Sequence, residues 1–413
     1  MTRFLLVASS LLATVVAQRT VIVDASNGPG TNHTTLTAAL NDLQANDLIV
    51  LRAGTYTGST KSTQHSFSIH GEGNPLVVPV LNSLQTMAFT FWGGAAQRVN
   101  LSGVRFQSDA TGQWALSVGT FQNSWPAPTV HLENCEVMSV SPQADRVGLL
   151  AQAVGLTVQS CDLSTTQVID CVASFETTWI TGHDLSVYSL STQRAQTALD
   201  VLRSEVWLID CTLTAGSSLG AYAEPAACVG FSDNSVTKAS RVHVCFNSTL
   251  TADAAPHPLW PVPAVFQDYA SFWPVDPTVE YEASVVLTPS PTGPVFGPGV
   301  VPVLRTITHQ ASIDAPLGGN YATFVRSGIG DIVLAYASMS SFAQQLGTWE
   351  LFMDLASAVP IGVGVLTTSP VQMFQVPIPN LLSLVGSVIE ITGAALTPTG
   401  VLEVTNPSAG IIR

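Results

Sequence analysis

The sequence predicts an all-β protein whose main body is a right-handed parallel β-helix, followed by a small C-terminal β-sandwich. Three observations predict it. Five segments can be set under one another: VNLSGVRF from Val99, VHLENCEV from Val130, LTVQSCDL from Leu156, TWITGHDL from Thr178 and VWLIDCTL from Val206. Each reads as an in-out-in trio, a turn residue and a second in-out-in trio. The turn column is Gly103, Asn134, Ser160, Gly182 and Asp210, residue types that tolerate left-handed or turn conformations. The closing column is apolar: Phe106, Val137, Leu163, Leu185 and Leu213. The segments start 22 to 31 residues apart, the length of one solenoid coil. A second strand family lies between them, at 115–118, 148–151, 168–172, 198–202 and 226–229. Several strands per coil with a fixed turn column suit coils that pair with the coils above and below.

The elements follow in chain order. Residues 1–17 have the grammar of an export signal: Arg3, an apolar run over 4–12, and Val15-Val16-Ala17 before the chain turns polar at Gln18. The run is short for a membrane-spanning helix, and no later stretch is long and apolar enough to span. Val21-Ile22-Val23-Asp24 reads as a strand. Residues 35–43 carry Leu36, Ala39, Leu40 and Leu43 on one helical face. Asp47-Leu48-Ile49-Val50-Leu51 then leads into Ala53-Gly54-Thr55-Tyr56.

This entry, with Phe67-Ser68-Ile69-His70-Gly71-Glu72-Gly73 after it, resembles the opening of pectin-lyase-like β-helix proteins. In that family a short helix caps the first coil, and a Gly-Asp…Pro-Gly-Thr-Tyr segment begins the stack. Here Asn46-Asp47 and Ala53 replace Gly-Asp and Pro. The resemblance covers roughly residues 20 to 250, and it implies polysaccharide chemistry on outward strand faces. We expect the β-helix over 18–253, with a further copy near 242–250 in slipped register. A proline-rich extended connection follows over 254–303, with room for one or two strands around Tyr281 to Leu287, and a β-sandwich module over 304–413.

Columns decide which side chains meet, because equivalent positions on neighbouring coils lie about 4.8 Å apart. The post-turn column, Val104, Cys135, Cys161, His183 and Cys211, points inward, and its cysteines read as small hydrophobes, with disulfides between successive coils the alternative. The next column faces out: Arg105, Glu136, Asp162, Asp184 and Thr212. Its carboxylates Glu136, Asp162 and Asp184 either recruit a cation, with calcium the candidate cofactor, or form a solvated acidic stripe. In the second strand family, Asp170 and Asp200 fall at matching positions, as do Ser174 and Ser204. Both aspartates then project outward on adjacent coils. The resemblance implies catalytic or calcium-binding carboxylates at such places; a lyase also needs a basic residue within reach, and Arg203 and Arg194 are the nearest by sequence. Trp179 and Trp207 align in one outward column, with His131 two coils before Trp179, either as a strip on which a pyranose ring lies or as an apolar surface covered by a loop from the long inter-coil segments.

Composition limits the partners. Of 413 residues only 10% are charged, and 28 Asp plus Glu outnumber 14 Lys plus Arg for a formal charge of −14. That balance argues against a nucleic-acid binder and weakens the case for an anionic glycan. Sequons stand at Asn32, Asn100 and Asn247. The polygalacturonase and pectate lyase motifs, the Gly-rich phosphate loop, the G-x-S-x-G elbow and the H-E-x-x-H pair are all missing. The expected partner is a polysaccharide or cell-surface glycan, engaged along the solenoid by a lyase, a hydrolase or a binding protein. The alternative is a non-catalytic adhesion or structural protein with the β-helix as a rigid spacer.

Overall fold

The computed structural model describes residues 18–79, 85–91, 97–108, 114–120, 127–140, 147–182, 197–216, 226–232, 238–253, 264–269, 276–313, 316–339, 344–346, 349–351, 356–381 and 384–413. Three all-parallel sheets, here A, B and C, run the length of the solenoid with eleven, nine and eight strands. Each full coil contributes one strand to each sheet in the order A, B, C. The central coils show why this sequence closes so tightly. Gly155–Gln159 lies in sheet A, Asp162–Ser164 in B and Thr166–Ile169 in C, before Val172–Glu176 re-enters A.

Two corners are built on left-handed residues. At the A-to-B corner φ is +63° at Gly103, +50° at Asn134, +51° at Ser160, +46° at Thr177 and +53° at Asp210. The turn column therefore exists, with one correction: Thr177, not Gly182, supplies the fourth member. Phe246 and Asn247, at +25° and +50°, make the slipped copy near 242–250. A second left-handed column stands at the C-to-A corner, with Ala153 at +51°, Asp170 at +52° and Arg203 at +49°.

The interior is one continuous apolar stack. Phe106, Val137, Leu163, Ile180, Leu213 and Leu250 close the B strands, each at most 1% exposed. Ile180 takes the place expected for Leu185, and Thr178 that expected for His183. His183 and Leu185 themselves lie outside the described residues. All six cysteines are buried and unpaired by disulfide. Burial raises the thiols of Cys171, Cys211 and Cys228, to about 11, 12 and 12.

The ends of the solenoid are covered differently. At the first coil the helix Leu36–Asn41 buries Leu36, Ala39 and Leu40, with Thr35 capping its start by accepting from Ala38 N–H. At the far end the stack does not stop at residue 253. Phe266–Asp268, Thr278–Tyr281, Val286–Thr288 and Val301–Leu304 extend sheets C, A, B and A in turn. The proline-rich stretch expected to be a connection is therefore the last part of the β-helix. Prolines belong there because a terminal strand has no further coil to donate to, and Pro302 sits in the last strand of sheet A.

From His309 onward the strands pair antiparallel, with one sheet containing His309–Ile313, Asn320–Arg326 and Val371–Pro377. A five-stranded sheet contains Val359–Val365, Ile332–Ser338, Val388–Leu396, Leu402–Val404 and Ser408–Ile411. Tyr321, Val325, Val333, Ile389 and Ile391 share the core of this module, an arrangement consistent with a small β-sandwich. The module lies along the outer face of sheet A. Ser68 donates to the Gly386 carbonyl at 3.1 Å, Asn406 donates to Ser174 Oγ at 3.0 Å, and Glu133 accepts from Ile411 N–H at 3.2 Å.

Candidate functional site

The outward columns of the three sheets have different fates. On sheet A the register runs Asn100, His131, Thr157, Ser174, Trp207, His243, Glu280. His131 and Trp207 do share this column, but neither forms a solvent-facing strip. They are 3% and 6% exposed beneath the C-terminal module. Trp207 stacks on His243 with ring centroids 4.6 Å apart and clusters with Ile307. Asn100 is equally covered, which takes its sequon out of reach in the folded chain.

Sheet B is open. Its first outward column reads Arg105, Glu136, Asp162, Trp179, Thr212 and Thr249. Trp179 stands where Asp184 was expected, so the acidic row stops at two, and Trp179 lies on a different sheet from Trp207. Asp184 and Arg194 are outside the described residues. Glu136 is engaged by Arg105 Nε at 2.8 Å. Partial burial and then the charge of Glu136 hold the Asp162 carboxyl above its ordinary value. Among the described residues no group of three His, Cys, Asp or Glu side chains is placed to hold a metal. Trp179 is 54% exposed and presents its ring to solvent.

Sheet C separates the two aspartates. Gln167 pairs with Asp200 and Ile169 with Leu202, so Asp170 pairs with Arg203 at the following corner. Asp170 and Asp200 are thus three positions out of step. Arg203 grips Asp170 through two hydrogen bonds, Nε to Oδ1 at 2.8 Å and a terminal nitrogen to Oδ2 at 2.7 Å. That ion pair ties two left-handed corners together. Ser204 falls beside Cys171, whose N–H it accepts at 3.0 Å, and Ser174 belongs to sheet A.

Asp200 projects outward between the buried Leu199 and Val201. Its carboxylate accepts from Gln167 Nε2 at 2.7 Å and from Ser232 Oγ at 2.8 Å. On the next coil Gly230 has no side chain, and a Cβ there would lie 2.7 Å from the ring of Tyr269. The absence of a side chain seats Tyr269 against the sheet, where its hydroxyl accepts from Ala227 N–H at 3.3 Å. Half-buried Leu150, Ile169 and Leu202 lie among these polar groups.

Chain connectivity sets sheet C apart again. In five successive coils the A-to-B corner spans two residues, such as Asn134-Cys135. By contrast, the segments entering sheet C at 182–198 and 215–228, and those leaving it at 120–128 and 232–240, are long. Long connections on a rigid scaffold are where binding groups concentrate. Gln167, Ser232 and Tyr269 were not anticipated from the sequence. Aligning Val168-Ile169-Asp170-Cys171 with Val201-Leu202-Arg203-Ser204 would have revealed the first.

Comparison with known proteins finds only distant structural likeness. No family model matches the chain, and no curated protein sequence does. Among solved structures, the pectin methylesterase PemA from Erwinia chrysanthemi aligns at 11% identity with a TM-score of 0.37, over 68% of this chain and 92% of the enzyme. Tailspike protein 2 of Escherichia coli O157:H7 bacteriophage CAB120 aligns at 11% and 0.33, over 96% of this chain and 68% of the tailspike. ORF18 of Geobacillus virus E2 aligns at 11% and 0.32, over 96% and 87%. The fold is a parallel β-helix. Its three parallel sheets carry that statement, and no activity follows from likeness at this level.

Proposed function

We propose that this β-helix protein binds a polysaccharide along the outer face of sheet C, with the Asp200 carboxylate as the central acceptor for sugar hydroxyls. The observation that carries the reading is the setting of Asp200. It faces outward, fixed by Gln167 and Ser232, on a face bordered by long connections, and among the described residues the C-terminal module lies on sheet A instead. Alternating polar groups and half-buried Leu150, Ile169 and Leu202 suit a sugar ring, which offers hydroxyl edges and C–H faces. The chain's −14 charge favours a neutral glycan over a uronate. The signal-like segment at 1–17 favours a place outside the cell. Among the described residues no helix is long and apolar enough to cross a membrane.

Binding is favoured over cleavage because Asp170 and Asp200 are not a facing pair. General acid–base work on a glycosidic bond needs two carboxyl groups flanking one substrate, and Asp170 is committed to Arg203. The test is a screen of purified protein against neutral and uronic-acid glycans, with and without calcium, read by both binding and product release. Asp200→Ala is expected to weaken binding about tenfold, the loss of one or two good hydrogen bonds, while Asp170→Asn leaves it unchanged. Unsaturated or reducing-end products abolished by either substitution would show an enzyme instead. Equal binding by wild type and Asp200→Ala would remove sheet C from consideration.

A further inference from the structure

One outward column of sheet C runs Leu150, Gln167, Asp200, Gly230 and Gln267 on successive coils. The row thus loses its side chain at Gly230, directly after Asp200. A glycine inside a strand weakens it and marks a place where another group comes close. That group is Tyr269, from the coil beyond. A Cβ on Gly230 would lie 2.7 Å from its ring carbon Cε2 and 3.2 Å from Cδ2. Tyr269 follows Asp268, the register partner of Phe231, and its hydroxyl reaches the Ala227 N–H at 3.3 Å. The ring therefore runs back along the strand and crosses Gly230. It is held at both ends, and the residue is only half-buried.

We propose that Tyr269 is the stacking platform of the sheet C site, on which a pyranose lays its C–H face while its hydroxyl edge meets Asp200. This rests on the reading of sheet C as the glycan face, and it names the form of sugar taken: a closed ring with one apolar side. Register partners on neighbouring coils lie about 4.8 Å apart, so the ring over Gly230 and the Asp200 carboxylate fall within the width of one sugar.

Two properties suit the ring to that task. Its hydroxyl bond and its seat on Gly230 fix it before any ligand arrives, and a rigid aromatic offers contact area with little freedom left to lose. Stacking through C–H groups also needs no cation, in a chain whose 28 acidic residues outnumber its 14 Lys plus Arg. Gly230 is then a positioning residue, which acts only by leaving room for the ring.

The test is affinity electrophoresis of the full chain in galactomannan, xyloglucan and dextran, joined to ultraviolet difference spectra of the tyrosine band. Wild type is expected to be retarded by at least one of these polymers. Tyr269→Ala should weaken that binding about tenfold, while Tyr269→Phe keeps the ring and should change it less than about twofold. Gly230→Ala keeps every polar group but displaces the ring, and should weaken binding as Tyr269→Ala does, with thermal melting showing that the variant is folded. Saturation with the glycan should perturb a tyrosine band in wild type that is missing from Tyr269→Phe, although that variant still binds. Should Tyr269→Ala fail to fold, this band alone decides. Binding lost in Asp200→Ala but unchanged in Tyr269→Ala would overturn the platform and leave the glycan face standing. A band of equal size in Tyr269→Phe would overturn it too. A wild type retarded by none of the polymers would overturn both readings.

Discussion

Trp207 and Trp179 occupy the same kind of position, an outward place on a short parallel strand, yet they belong to different sheets of the solenoid and to opposite regimes of energetics. On sheet A the outward residues are roofed by the C-terminal module, and Trp207 is stacked on His243 and packed against Ile307. On sheet B nothing described lies over Trp179, which keeps half of its surface in water. Strand alternation tells which residues leave the solenoid core. It does not tell whether they then enter solvent or a second core, since that depends on a module about a hundred residues further along the chain.

The contrast is easiest to break at Trp207. Trp207→Ala should cost about 3–5 kcal/mol, the range for truncating a buried aromatic in a site that cannot collapse. Chemical denaturation read by tryptophan-independent circular dichroism would measure it. A loss below about 1 kcal/mol, the level of an ordinary surface change, would mean that the module does not cover sheet A in solution.

Much of this architecture was legible because it is repetitive. Asn134, Ser160 and Asp210 were found as a left-handed column from their types alone, and the helix over the first coil from the spacing of Leu36, Ala39 and Leu40. The failures have a common physical source. The coil between Ser160 and Thr177 is only 17 residues long (177 minus 160), the shortest of the run. Its turn is made by Thr177, a β-branched residue that seldom takes positive φ. Gly182, five positions on, offered a better turn former and drew the register with it. That slip moved Asp184 into the acidic column and put Trp179 beside Trp207. The second left-handed corner escaped notice because Ala153, Asp170 and Arg203 share no chemistry, only geometry. Of the candidate site, Asp200 was legible as an outward carboxylate. Its partner Ser232 was not, since it comes from the next coil, 32 positions further along the chain.

A middle-sized effect tests the same contrast by pH. His243 places Nδ1 3.0 Å from Glu280 Oε2 and Nε2 3.1 Å from Glu205 Oε1. Burial alone would lower its pKa, but the two carboxylates outweigh that and raise it. Arg305 completes the cluster and bridges Glu280 to Glu403 of the C-terminal module. Burial would raise Glu280, yet His243 and Arg305 hold it down to about 2. A raised histidine stabilises the fold fully below its unfolded value and loses that contribution as pH climbs through the folded one. A depressed carboxylate stabilises above its unfolded value and loses it as pH falls. The cluster should therefore contribute most between about pH 4.5 and 6.5, the unfolded values of the two groups, and weaken on either side. His309, against Glu282 and Arg326, is buried with its pKa lowered and acts in the opposite sense. The informative quantity is accordingly the difference in Tm between wild type and His243→Gln as pH is scanned. A difference that stays flat from acid to alkaline pH would separate His243 from the seam's stability.

The smallest effect is expected where sequence saw the most function. Trp179→Ala removes a ring that is 54% exposed and flanked in register by Asp162 and Thr212. Its stability cost should stay within about 0.5 kcal/mol, as for surface changes away from special features. On the proposed reading, glycan binding on sheet C should also be unaffected, because Trp179 projects from sheet B. A loss of binding in Trp179→Ala with stability intact would move the glycan to sheet B and leave Asp200 a structural residue. Loss of binding in both Trp179→Ala and Asp200→Ala would mean a ligand broad enough to wrap the corner between the two sheets, where only Thr165 separates Ser164 from Thr166 in the shortest coil.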